Sequence, residues 1–381
     1  MYIKDNRKKQ GNKELTVYPI RVLHISYGMH RGGAETLIMN IYRNIDRNKV
    51  QFDFLLHSPT KTAYEDEISK LGGRTYHIPR FLGFNKFAYD KSLKDFLSNH
   101  KEYQIIHDHL MDSATETFKV AKKLGRTTIA HSHTVQKYNS ISSIIRFLFR
   151  MNICKYADYC FACSVEAGIW MYRGKKKFTV INNAIDTSKY AFNEDTREKV
   201  RKSLKLSSSD FVVGTVGRLA KEKNQKRLIH IYSQLVKKKE GSKLIIVGDG
   251  NLRSELELEC KALGIEDRVS LLGSRDDIPS LLCAFDLFLF TSYSEGLGIS
   301  IIEAEASGLP IVMPTSMPQE VDIIKPLIAR VDLDSSNNEW VNKILSSPII
   351  ERATQYKKVA NAGYDIKLVA KELQNFYLTL K

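Results

Sequence analysis

Twice along this chain, short apolar runs of strand length alternate with longer stretches of helical period, and that alternation constrains the fold more than any other feature. The first series places strands at Arg21 to Ser26, Phe52 to Leu56, Gln104 to His107, Thr127 to Ala130, Tyr159 to Cys163 and Phe178 to Ile181, with a helix at Ala34 to Asn44. The second places strands at Phe211 to Val216, Leu244 to Val247, Val269 to Leu272, Leu287 to Phe290 and Ile311 to Val312. Helices at Gln225 to Lys237, Leu252 to Leu263 and Ile299 to Ser307 separate them. Parallel neighbours in one sheet need a crossover, usually a helix, so each series predicts a doubly wound parallel sheet of α/β class. The polar stretch from Asn183 to Asp210, with a short helix of its own, marks the boundary. Four segments are expected: a flexible basic extension at 1–19, a domain at 20–183, a second domain at 184–365 and a terminal helix at 366–381. Open sheets of this kind bind ligands beyond the carboxyl ends of their strands, so the chemistry belongs in the loops that follow strands.

Composition narrows the class. At 381 residues with 43% hydrophobic content the chain holds enough apolar surface for two cores. No apolar run approaches the roughly 18–20 residues of a membrane span, and the basic N-terminus lacks a signal-peptide core, so a cytoplasmic protein is expected. Five cysteines, odd in number and without framework spacing, agree with a reducing compartment. Cys160 and Cys163 form a CxxC pair in a predicted strand, which should turn the two sulfurs to opposite faces as buried side chains. A net charge of +15 calls for an anionic partner, whether nucleic acid, anionic lipid or phosphorylated substrate. No nucleic-acid-binding motif is present, and nucleic acid is not the expected partner.

Each half opens with a glycine signal. Gly28 to Glu35, containing Gly32 and Gly33, follows the first strand and enters a helix, as an amide cradle for phosphate does, but it is not the GxGxxG of a nicotinamide site. After Val216 comes Gly217 to Asn224, where Asn224 reads as the next helix's N-cap. Arg218, Lys221 and Lys223 then crowd the positive end of the helix dipole, which costs free energy unless an anion binds there. Val247 to Asn251 and Leu272 to Arg275 end the next two strands and would frame the nucleoside side of the same cleft.

The segment Ser294 to Ala304, SEGLGISIIEA, sets Glu295 and Glu303 around a glycine turn. Gly296, Leu297 and Gly298 let backbone approach a ligand, and the helix that opens there aims its amides at an anion. Glu303 is also compatible with a capping box beginning at Ser300. His107, His109, His131 and His133 end two predicted strands; HxH pairs can ligate zinc, and a structural role is the alternative.

In this order, Gly32-Gly33-Ala34-Glu35, Gly217 to Asn224, Val247 to Gly250, and Glu295 with Glu303 and Ala304 resemble the retaining glycosyltransferase family 4, over about Ile20 to Val312. The resemblance implies a GT-B fold: two Rossmann-like domains facing a cleft, an acceptor-binding N-terminal domain, a nucleotide-sugar-binding C-terminal domain and a last helix returning to the first. It implies that Arg218 and Lys223 hold the leaving diphosphate, completed by the amides of Gly33, Leu297 and Gly298. Glu303 would bind ribose, Glu295 the donor sugar, Arg275 the border of the base, and His133 would polarise a hydroxyl or phosphate. His107 and His131 fit structural roles better, and His109 stays open. A nucleotide-diphosphate sugar, with UDP the expected nucleotide, is the implied donor, with no cofactor and no metal ion. The acceptor would be a lipid-linked or growing glycan, and Glu339 to Leu345 resembles enzymes of capsule and exopolysaccharide assembly. A nucleotide-sugar epimerase of similar fold and a noncatalytic binder of anionic polymers are the alternatives.

If helical, Ser140 to Tyr156 carries a narrow polar stripe on a wide apolar surface, suited either to an anionic bilayer or to the core. Two segments depart from the family pattern: Asn182-Asn183-Ala184 at the hinge, and Pro314 to Glu320 where a glycine-rich loop is common.

Overall fold

The structure, a computed structural model, describes residues 19–30, 32–133, 152–293, 295, 297–348 and 351–380. The first sheet contains β1 (Ile20–Ser26), β2 (Val50–Leu56), β3 (Thr75–His77), β4 (Ile105–Asp108), β5 (Thr127–Ser132), β6 (Tyr159–Ala162) and β7 (Thr179–Val180). Its order is β3-β2-β1-β4-β5-β6-β7, and every pairing is parallel. The second sheet contains β8 (Phe211–Val216), β9 (Ser242–Val247), β10 (Val269–Leu271), β11 (Leu287–Leu289), β12 (Ile311–Pro314) and β13 (Ile328–Val331), ordered β10-β9-β8-β11-β12-β13 and again parallel. Both sheets reverse direction beside their first strand, between β1 and β4 and between β8 and β11. The loops at these switch points therefore diverge and leave room for a ligand.

The helices that matter to the site are α1 (Gly33–Asn44), α2 (Lys86–Asn99), α3 (Gln225–Lys238), α4 (Ile299–Ala306) and α5 (Ile366–Thr379). Sequence periodicity assigned no element between Leu56 and Gln104, where β3 and α2 lie. The buried residues of α2, Tyr89, Leu93 and Leu97, form a single file joined only by the half-buried Phe96, so its signal is weak. The boundary helix is Glu194–Ser203, capped by the Asn193 side chain.

The chain passes between the two sheets twice, and the two crossings touch: the Ile185 amide donates to Tyr364 O at 3.0 Å and the Ile366 amide to Ile185 O at 2.8 Å. α5 then lies on the first domain, burying Ile366, Val369, Ala370, Leu373 and Tyr377 in one cluster with Val22, Phe52, Phe54 and Ile129. Trp340, in the stretch that resembles capsule enzymes, is fully buried and donates to Asp332 O, a packing role.

No helix among the described residues is long and apolar enough to cross a membrane. Residues 1–18 of the basic extension and 140–151 of the amphipathic stretch lie outside the described residues; of the latter stretch only Ile153–Tyr156 is seen as a short helix, with Ile153 buried. The CxxC expectation needs correction. β6 stops at Ala162, so Cys163 lies beyond the strand's alternation, and both free cysteines fall in the same core cluster.

Candidate active site

The second sheet supplies the charged part of the site. Beyond β8, Gly217 to Lys223 packs against the β9 loop by backbone hydrogen bonds, from the Gly217 amide to Val247 O at 2.9 Å and from the Leu219 amide to Asp249 O at 3.0 Å. A Cβ at Gly248 would collide with Gly217 O and one at Gly250 with Leu219 O, so these glycines permit two loops to touch. Lys221–Lys223 forms a short 3-10 turn, and Asn224 precedes α3 in the left-handed region at φ 54. Asn224 is the N-cap by position, but its side chain caps nothing.

The expected crowding of unmatched cations is also corrected. Arg218, largely exposed, pairs with Glu222, while Lys223 Nζ lies 2.6 Å from Glu295 Oε1 in a half-buried pair. The chain's own carboxylates thus offset two of the three charges argued from the helix dipole, while Lys221 makes no ion pair among the described residues. Lys223 and Glu295, 72 positions apart, meet because the Thr291 hydroxyl donates to Asn224 O at 3.0 Å and the Tyr293 amide to Glu222 O at 3.0 Å.

Gly298 stands at φ 85 as the N-cap of α4, a left-handed conformation that favours glycine, and Leu297 is buried beneath it. Gly296 lies outside the described residues. The capping-box alternative for Glu303 is not realised: α4 starts at Ile299, and Glu303 Oε1 accepts the Tyr190 hydroxyl at 2.6 Å. Burial pushes the Glu303 carboxyl up to about 7, partly opposed by the Tyr190 hydrogen bond. A cleft of about 550 Å³ lies here, lined by Glu303, Tyr190 and Arg275 from the second domain and by Thr36 and Asn40 of α1. Arg275 makes a two-pronged pair with Asp277 at 2.8 and 2.7 Å. Tyr190 went unrecognised in the sequence because nothing local marks it.

Gly32 and Gly33 open α1, whose first amides have no side-chain cap; a Cβ at Gly33 would meet nothing within 4 Å. The loop Pro314 to Pro318 is pinned by Arg330, which donates to the carbonyls of Met317 and Pro318 at 2.8 and 2.9 Å.

The histidines form a larger group than the sequence indicated. His24 Nδ1 lies 2.9 Å from His109 Nε2, and His109 Nδ1 lies 2.8 Å from His133 Nε2. In parallel, the Tyr377 hydroxyl of α5 lies 2.6 Å from His107 Nδ1, and His107 Nε2 lies 3.2 Å from His131 Nδ1. Burial lowers all five ring pKa values, His24 to about 3 and His133 to about 4, so the imidazoles are neutral. His24 was missed, although a lone histidine in an apolar strand was its signal. His24, His107 and His109, or His109, His131 and His133, bring ring nitrogens within 4.8 Å and would suit a zinc-class ion. The closest contacts, at 2.8 and 2.9 Å, are hydrogen-bond lengths, shorter than the roughly 3.3 Å between nitrogens sharing a tetrahedral zinc.

Comparison with known proteins decides the class. Residues 31–189 match the family model "Glycosyltransferase Family 4", and residues 196–364 match "Glycosyl transferases group 1". The chain is a GT-B glycosyltransferase. It is 29% identical over 369 residues to the protein of Bacillus subtilis (strain 168) named "Putative glycosyltransferase EpsF", covering 94% of this chain and 96% of that one. It is 28% identical over 317 residues, 77% of this chain and 79% of the other, to the Escherichia coli UDP-Gal:alpha-D-GlcNAc-diphosphoundecaprenol alpha-1,3-galactosyltransferase. Among solved structures, Anabaena Alr3699/HepE in complex with UDP superposes with a TM-score of 0.77 at 20% identity, covering 94% of this glycosyltransferase and 100% of that chain. The same protein has been solved with UDP-glucose.

Proposed function

We propose that this glycosyltransferase moves a hexose or N-acetylhexosamine from a UDP-sugar to a lipid-linked or growing polysaccharide acceptor, with retention of anomeric configuration and without a metal ion at the diphosphate. The Lys223–Glu295 pair, set beside the amides that open α4, carries the reading. A diphosphate arriving there gives Lys223 a doubly anionic partner, and the displaced Glu295 becomes free to accept hydroxyls of the donor sugar. Arg218, exposed and paired with Glu222, adds a second cation when that pair opens. Glu303, beside Arg275, takes the ribose, with Tyr190 orienting the carboxylate.

Negative charge develops on the leaving phosphate as the sugar C1–O bond lengthens, and fixed cations and amides stabilise it. The acceptor oxygen bonds to C1 on the same face while its proton passes to the departing phosphate oxygen. His133, neutral and held by His109, polarises the acceptor hydroxyl. The UDP and UDP-glucose complexes of HepE, and the donor and lipid-diphosphate acceptor named for the E. coli relative, support this choice of substrates.

The test is incubation with a panel of UDP-sugars, with and without EDTA, followed by NMR of the product anomer. Transfer with retention, insensitive to EDTA and about 100-fold slower in Lys223→Ala, is expected. No transfer or donor hydrolysis by the wild type, or full activity in Lys223→Ala, would refute the assignment.

A further inference from the structure

The turn between β3 and α2 carries two phenylalanines almost entirely outside the protein. Phe84 and Phe87 are each 87% exposed, and Leu82 is 55% exposed. Isolated apolar side chains at a surface are ordinary; three at one turn are not. The turn is built firmly. Phe81 is buried against Tyr89, with ring centroids 5.3 Å apart. Asn85 Oδ1 accepts the Leu82 amide and Asn85 Nδ2 donates to Arg80 O, both at 2.8 Å, so the side chain placed to cap α2 holds the turn instead. Arg80 lies 4.5 Å over the Tyr27 ring and 3.8 Å from Asp112. Tyr27 and Asp112 follow β1 and β4, so the turn sits at the carboxyl rim of the first sheet, on the side of the cleft.

Along α2, Phe87, Lys91 and Lys94 stand at i, i+4 and i+7 and share one stripe. Both lysines are exposed and make no ion pair among the described residues, whereas Lys86 is matched by Asp90 and Glu116. Aromatic tips followed by free cations on one helix face fit an interface that is apolar within and anionic at its surface.

We propose that Leu82, Phe84 and Phe87 insert into an anionic lipid bilayer, with Lys91 and Lys94 against its headgroups, so that the cleft rim faces the membrane. A second copy of the chain fits less well. Three side chains supply roughly 500 Å², below the roughly 800 Å² per partner of a stable protein interface, and pairing would bring like charges together on a chain already at +15. The purpose rests on the proposed lipid-linked acceptor, but the binding itself does not.

The full chain is sedimented with phosphatidylglycerol-containing vesicles and with pure phosphatidylcholine vesicles, without any sugar. The wild type should partition onto the anionic vesicles, and Phe84→Ser with Phe87→Ser should lower that partition about 100-fold. Lys91→Glu with Lys94→Glu should lower it at least tenfold and abolish its salt dependence. Transfer to a short water-soluble acceptor should be unchanged in the phenylalanine variant. No wild-type binding, wild-type partition by both variants, or loss of transfer to the soluble acceptor would overturn the proposal. The vesicle result stands whether or not a donor is found, so the two readings fail separately. Each substitution is at an exposed position, where folding is little affected.

Discussion

Replacing Glu303 by glutamine should make the ligand-free protein more stable above pH 7 while weakening its hold on a nucleotide. The glutamine amide oxygen can still accept the Tyr190 hydroxyl that Glu303 accepts at 2.6 Å, so the geometry survives and only the ionisation is removed. In the folded chain burial raises the carboxyl from 4.5 to about 7. Between those values the folded protein keeps a proton that the unfolded chain has released, so this group lowers stability as pH rises through the window and contributes a constant penalty above it. The rise from 4.5 to about 7 sets a ceiling of about 3 kcal/mol; because the side chain is partly exposed, roughly half of that is the better expectation. The difference in unfolding free energy between Glu303→Gln and wild type should grow from near zero at pH 4.5 to about 1.5 kcal/mol at pH 8. Urea titrations followed by tryptophan fluorescence measure it. Asp108 and Glu305, both raised to about 8, bend the two curves alike and cancel in the difference. At pH 8 the variant should bind UDP at least tenfold more weakly, because the proposed acceptor of ribose hydroxyls has lost its charge. Curves that stay parallel from pH 5 to 8.5 would refute the burial of the Glu303 carboxyl as the source of the penalty, and equal UDP affinity would refute its assignment to the ribose.

Gly298→Ala forces a side chain into φ 85 and places its Cβ 3.0 Å from Ile301, so it should cost about 1–3 kcal/mol in a thermal melt and weaken UDP binding in calorimetry. Leu373→Ala, in α5 and not among the residues lining the cleft, should cost about 2–5 kcal/mol in urea titration because it opens a cavity between that helix and the first sheet. Burial pushes the thiols of Cys160 up to about 12 and of Cys163 and Cys260 up to about 11, and Cys283 is buried. Ellman's reagent at pH 8 should therefore find at most the half-buried Cys154 in the native protein. Rapid labelling of several thiols would show that these cores open readily.

The sequence by itself determined the local chemistry: two parallel sheets, the loops that would carry ligands, and the residue types at their tips. Strand and helix periods are set by residues a few positions apart, and a glycine such as Gly298 announces its left-handed turn locally. The same locality explains what was illegible. α2 hid behind a single apolar file, and the CxxC spacing could not reveal that β6 ends at Ala162. Only the tertiary structure decided the partners. Glu303 found Tyr190 across 113 positions, Lys223 found Glu295 across 72, and His107 found Tyr377 across 270. Strand order and the return of α5 set those meetings, and no local periodicity encodes either. The physical consequence is that Arg218 and Lys223, expected to demand an external anion, are paired inside the chain, and the diphosphate proposed to bind there would compete for Lys223 with Glu295.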